Sequence, residues 1–90
     1  MRVTIHGRVQ GVFFRQSTSD VASRLDIKGF VRNTIQGTVE AVFEGQNDDV
    51  NEIINWCRNG PAFARVQKID ITDETEKGPS YDAFTIERTV

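Results

Sequence analysis

Residues 3–15 read Val3-Thr4-Ile5-His6-Gly7-Arg8-Val9-Gln10-Gly11-Val12-Phe13-Phe14-Arg15, and the hydrophobic period changes inside them from that of a strand to that of a helix. Val3 and Ile5 alternate with Thr4 and His6, the two-residue repeat of a strand with one buried face. Gly7 to Phe13 breaks that repeat with two glycines four residues apart. From Phe14 the spacing is helical: Phe14, Thr18, Val21 and Leu25 fall at steps of four, three and four, on one stripe. The pattern predicts a strand, a glycine-bearing loop and a helix, with Lys28-Gly29 as the helix stop.

Working outward, Phe30 to Asn33 reads as a second strand. Thr34-Ile35-Gln36-Gly37 reads as a hairpin connection with Gly37 at positive φ. Thr38 to Glu44 is a third strand with Val39, Ala41 and Phe43 on one face. Gly45-Gln46-Asn47 turns into a second helix. Asp48 and Asp49 at its start complement the positive end of its dipole, and Asp49 with Glu52 has the spacing of a capping box. Val50, Ile53, Ile54 and Cys57 form its buried stripe, and Asn59-Gly60-Pro61 ends it. Ala64 to Thr72 is a fourth strand whose alternation slips, since Ala64 and Val66 share one parity and Ile69 and Ile71 the other. A one-residue bulge near Gln67-Lys68 would restore a single buried face. A polar loop over Thr75 to Asp82, with Gly78-Pro79, leads to a last short strand at Phe84-Thr85-Ile86.

The order β-α-β-β-α-β plus a terminal strand predicts an α+β fold. It fits a ferredoxin-like split βαβ sandwich, one mostly antiparallel sheet of about five strands with two helices on one face. The fold alone leaves enzyme, regulator and RNA binder all open. Ninety residues, 38% hydrophobic and 27% charged, suit one domain over residues 1–90 and exclude a disordered chain. No apolar run approaches the roughly 20 residues of a membrane span. The N-terminus lacks the apolar core of a signal peptide, so a cytoplasmic chain is expected. A single cysteine, Cys57, rules out an intrachain disulfide or a thiolate metal cluster and reads as a core residue.

Eleven Lys and Arg against thirteen Asp and Glu give a net charge of −2, which argues against a nucleic-acid partner. The charge is uneven: Met1 to Asn33 carries six cations and two anions, for +4, and the remainder nets −6. Taken on its own, that asymmetry reads first as a solvated mixture of surface charges and only second as a small-anion site. The loop from Gln10 to Phe14 precedes a helix N-terminus, whose free N–H groups are available to an anion. Arg15 stands where a cation meets the positive end of the dipole, a placement a bound dianion would favour. Taken without the loop, an arginine reaching into solvent is the ordinary reading of Arg15. Asn33, likewise, is an ordinary turn residue at a strand end. By spacing, the loop is neither a Walker A motif nor a dinucleotide fingerprint.

Ile5-His6-Gly7-Arg8-Val9-Gln10-Gly11-Val12-Phe13-Phe14-Arg15 closely resembles the first signature of the acylphosphatase family. Gly29-Phe30-Val31-Arg32-Asn33, with Gly37-Thr38-Val39 and Gly45, resembles its second. Trp56, Gly60-Pro61, Ala64-Arg65-Val66 and Phe84-Thr85-Ile86 also look like family positions, so the resemblance spans almost the whole chain. It implies hydrolysis of an acyl phosphate, a small-molecule substrate, to carboxylate and inorganic phosphate, with water as direct nucleophile and no metal or other cofactor. By position it makes Arg15 the phosphate-binding arginine, Asn33 the water-orienting residue, and Gln10, Gly11, Val12, Phe13 and Phe14 the backbone cradle. With the charge and the short apolar runs already arguing against a nucleic-acid or membrane partner, a monomer is expected.

The remaining polar residues take plainer readings. Thr34 is a candidate to assist Asn33, Thr38 and Glu40 are strand-surface residues, and Asp20 and Asp26 are solvated residues of the first helix. His6 points away from the core side. The other readings are a non-catalytic anion-binding regulatory domain of the same fold and a single-stranded RNA binder. For the latter, Arg2, Thr4, His6 and Arg8 on the first strand lack a stacking platform. Gln36 stands where many family members carry Asp, which alters turn chemistry and leaves the site alone. Glu87 after Ile86 also departs from the family pattern and leaves the end of the last strand less sharply defined by the sequence.

Overall fold

The structure, a computed structural model, describes residues 1–73 and 81–90. Its elements run β1 (Arg2–Arg8), α1 (Phe14–Leu25), β2 (Lys28–Asn33), β3 (Val39–Glu44), α2 (Asn47–Cys57), β4 (Arg65–Thr72) and β5 (Phe84–Ile86). They form one five-stranded sheet in the order β4-β1-β3-β2-β5. All pairs are antiparallel except β2 with β5. This is the ferredoxin-like α+β sandwich. The expected polar loop lies mostly at 74–80, outside the described residues.

The strand period decides which residues face the helices. Val3 pairs with Ala41 and Ile5 with Val39, while Val31 faces Ala41 from the other side. These residues join Phe14, Val21 and Ala22 of α1 and Val50, Ile53, Ile54 and Cys57 of α2 in one buried cluster. Both helical stripes therefore pack on the same sheet face. At about 25 cal/mol per Å² of apolar surface removed from water, this cluster is the main stabilising term. Trp56 closes it at the end of α2, its ring meeting Phe14 edge-on at 5.6 Å. The bulge falls at Gln67: His6 pairs with Lys68 but Gly7 with Val66, which skips one residue of β4.

Three local expectations are corrected. The stop of α1 is not Lys28-Gly29. Asp26 adopts φ 56 and ψ 41 and caps the helix, so it lies outside the last turn rather than within it. Lys28 and Gly29 already belong to β2, where Gly29 sits at φ 136 opposite Phe43; a Cβ there would lie 1.9 Å from the Val42 carbonyl oxygen. Close approach between strands, not chain termination, explains that glycine. Nor is there a capping box at Asp49: α2 is capped by Gln46 without a side-chain hydrogen bond, leaving Asp48 and Asp49 in the first turn.

Glu40 is more than a strand-surface residue. It accepts from Arg2 at 2.8 Å and from Arg32 at 2.7 Å on the open face of the sheet, where both guanidiniums also lie over the Phe30 ring. Burial alone would raise the Glu40 carboxyl. The hydrogen bonds and charges of Arg32 and Arg2 outweigh it and hold the group below its ordinary value of 4.5.

Candidate active site

Between β1 and α1 the chain is pinned at two points and free between them. Val9 and Val12 are buried in the core cluster, while Gly11 takes φ 75 with nothing within 4 Å of where a Cβ would stand. Phe13 caps α1 in the left-handed region at φ 63, with no side-chain hydrogen bond to the helix end. Two left-handed residues flanking Val12 turn the loop tightly, and a glycine at the first lets a ligand approach the backbone. Among the described residues, no backbone or side-chain oxygen outside the regular elements accepts from the N–H groups of Gly11 to Arg15. These donors belong to the loop and the first helical turn, where an anion is favoured.

Arg15 is held by its neighbour. Phe14 is 2% exposed and anchors the first turn in the core, and the next side chain leaves the helix beside the loop. The first turn carries no acidic residue. Asn33 arrives by strand parity: Gly29, Val31 and Asn33 alternate onto the helix side of β2, and Asn33 is the last residue of the strand. It therefore projects past the core at the edge where α1 begins. Arg15 and Asn33 line one cleft of about 340 Å³, together with Gly11, Phe13, Phe14 and Ile86. Of the expected cradle residues, Gly11, Phe13 and Phe14 border this cleft directly; Val12 is turned into the core and Gln10 lies behind the loop.

Gln10 has a role that spacing did not reveal. Its Nε2 donates to the carbonyl oxygens of Thr34 and Thr38, both at 2.9 Å. The Thr34 and Thr38 hydroxyls share a 2.7 Å hydrogen bond, and the Thr34 N–H donates to the Thr38 carbonyl at 3.0 Å. Thr38 is thus part of the turn following Asn33 rather than a strand-surface residue. The result is a side-chain bridge from the loop to the hairpin that ends at Asn33. A glutamine in a loop next to a hairpin rich in threonine hints at such a bridge, but only the fold brings residue 10 to residues 34 and 38. The Asn33 backbone is held from its other side as well, where its carbonyl accepts from the Val90 N–H at 3.2 Å.

The titratable groups stand elsewhere. His6 is on the open sheet face, 2.9 Å from Asp70. Cys57 is fully buried and its thiol is pushed up to about 12 by desolvation. Among the described residues, no three His, Cys, Asp or Glu side chains lie together as a metal-ligand set, and no helix is long and apolar enough to cross a membrane.

Fold and cleft describe a small ferredoxin-like α+β domain with a glycine-bearing loop, an arginine and an amide side chain lining a cleft at one edge. The acylphosphatase family profile matches residues 1–86. An acylphosphatase from Pyrobaculum aerophilum is 52% identical over 89 residues, covering 98% of this chain and 93% of the relative. One from Syntrophus aciditrophicus is 48% identical over 86 residues, covering 96% and 88%. The crystal structure of acylphosphatase from Bacillus subtilis has a TM-score of 0.87 at 31% identity, over 96% of this chain and 94% of that one. The chain belongs to the acylphosphatase family, and so to the hydrolases.

Proposed function

We propose that the chain hydrolyses the carboxyl–phosphate bond of acyl phosphates by direct attack of water on phosphorus, with no metal ion. The observation that carries this reading is the meeting of Arg15 and Asn33 in one cleft beside a loop of free backbone donors. The phosphate dianion binds between those amides and the Arg15 guanidinium, whose planar fork donates two parallel hydrogen bonds to its oxygens. The Asn33 amide oxygen accepts one O–H of a water and holds its oxygen in line with the phosphorus. As the water O–P bond forms, the P–O bond to the acyl group breaks, and the electron pair leaves with the carboxylate. The water proton passes to a phosphoryl oxygen, so R–CO–OPO₃²⁻ and H₂O become R–COO⁻ and H₂PO₄⁻.

So sparse a site suits the substrate. A mixed anhydride already carries a good leaving group, so positioning and charge stabilisation remain as the enzyme's tasks. The domain acts as a monomer in the cytosol under the same reading, its one thiol locked in the core. The test is steady-state hydrolysis of benzoyl phosphate by wild type, Arg15→Ala and Asn33→Ala, each with and without chelator. Each variant loses about 100-fold or more in kcat/KM, the scale of removing one preorganised donor, and chelator changes nothing. Wild-type rates in both variants would end the assignment.

A further inference from the structure

Across the loop from Arg15 lies a second cleft, of about 220 Å³, lined by Arg8, Gly11, Val12, Phe13, Phe63 and Arg65. It shares Gly11 and Phe13 with the Arg15–Asn33 cleft, so the two adjoin where the loop carries no side chain. Three features of it are costly for the protein alone. Arg8 and Arg65 are directly opposite each other on β1 and β4, an arrangement in which like charges repel. Neither has an acidic partner among the described residues; on the same sheet face Glu40 is taken by Arg2 and Arg32, and Asp70 by His6 and Lys68. Phe13 and Phe63 stand 77% and 74% exposed, a cost in uncovered apolar surface.

A single ligand would resolve all three. With a phosphate bound beside Arg15, the rest of an acyl phosphate crosses Gly11 into this second cleft. Its carbon frame would cover the two rings, and an anion at its far end would sit between the two guanidiniums. We propose that Arg8, Arg65, Phe13 and Phe63 form the acyl subsite, and that it selects acyl groups ending in a second anion, a carboxylate or a phosphate. This rests on the acyl-phosphatase reading above. The net charge of −2 does not itself attract a more anionic substrate, so any such preference is local to these arginines.

The test compares two nearly isosteric substrates, 4-carboxybenzoyl phosphate and 4-methylbenzoyl phosphate, at low salt. Wild type favours the carboxylate by about 10-fold or more in kcat/KM, the scale expected of charge-assisted pairing to exposed guanidiniums. The preference falls towards unity in the Arg8→Gln/Arg65→Gln double variant and is kept in Arg24→Gln, a cation removed from the far end of α1. 4-Phosphonobenzoyl phosphate, run beside them, tells a planar carboxylate from a tetrahedral dianion as the preferred end group. Circular dichroism of the double variant checks that these surface changes leave the fold intact. A ratio near one in wild type, with both acyl phosphates turned over, overturns the subsite and leaves the hydrolase reading standing. So does a preference that survives the double variant. Failure to hydrolyse either acyl phosphate sinks the hydrolase reading and the subsite with it.

Discussion

Replacing Gln10 with Met keeps the length of the side chain and the backbone of the loop but removes the bridge to the hairpin. Two hydrogen bonds of 2.9 Å are lost. Each contributes about 0.5–1.5 kcal/mol net, so the upper range of the loss is about 3 kcal/mol. Two facts pull it down. The Thr38 carbonyl still accepts from the Thr34 N–H and the Thr34 carbonyl from the Gly37 N–H, so neither is orphaned. Gln10 is also only half-buried, and water replaces part of what is lost. The expected cost is about 1–2 kcal/mol, read as a fall in Tm of about 5–15 °C for a domain of this size. On the proposed mechanism, in which the loop and Arg15 hold the phosphate and Asn33 the water, losing the bridge lowers kcat for benzoyl phosphate at 25 °C by about 10-fold or more and moves KM less. Thermal melting by circular dichroism and initial rates well below the melting range separate the two effects. A variant that melts lower but keeps its kcat would show a bridge that only stabilises. Unchanged Tm and unchanged kcat would mean that Gln10 neither stabilises the hairpin nor positions the loop.

The same substitution at two glycines has opposite outcomes: Gly29→Ala drives a Cβ to 1.9 Å from a carbonyl oxygen and abolishes stable folding, whereas Gly11→Ala meets no atom within 4 Å and costs only about 1–2 kcal/mol for the left-handed backbone. Equal melting temperatures for the two variants would contradict both assignments. Because the Glu40 carboxyl is held below its ordinary value of 4.5 in the folded protein, its share of stability is fully present above that pH and is lost as pH falls through the lower folded value. Urea unfolding of Glu40→Gln should therefore show a deficit against wild type at pH 7 that narrows below pH 4.5; a deficit independent of pH would count against the ion cluster. Cys57, buried and with its thiol raised to about 12, is expected to resist a thiol-specific chromogenic reagent at pH 8 in the native protein and to react at once in denaturant. Rapid native labelling would contradict its place in the core.

Much of the architecture was legible because periodicity is a local signal. The stripe Val50, Ile53, Ile54, Cys57 marks a buried helix face wherever that helix is placed, and the parity slip between Val66 and Ile69 marks a bulge before any partner strand is known. What failed were features whose meaning depends on a neighbour. Lys28-Gly29 has the composition of a helix stop, yet Gly29 exists for the Val42 carbonyl beside it, and Asp26 took the left-handed cap that a glycine would usually fill. Asp49 and Glu52 have capping-box spacing, but the cap of α2 is Gln46, three residues before Asp49. At the site, the pairing of Arg15 with Asn33 was readable only through family resemblance, because its cause is the meeting of a strand end and a helix start. The Gln10 bridge and the facing of Arg8 with Arg65 needed the register of strands distant in sequence. No spacing within the loop encodes either.

Hydrolysis of benzoyl phosphate in ¹⁸O-labelled water reports which bond breaks, and so whether water attacks phosphorus. Attack of an Asn33-held water on phosphorus puts the label in inorganic phosphate and leaves the benzoate unlabelled. Label in the benzoate would place the attack at the carbonyl carbon and contradict phosphoryl transfer in the Arg15 cleft.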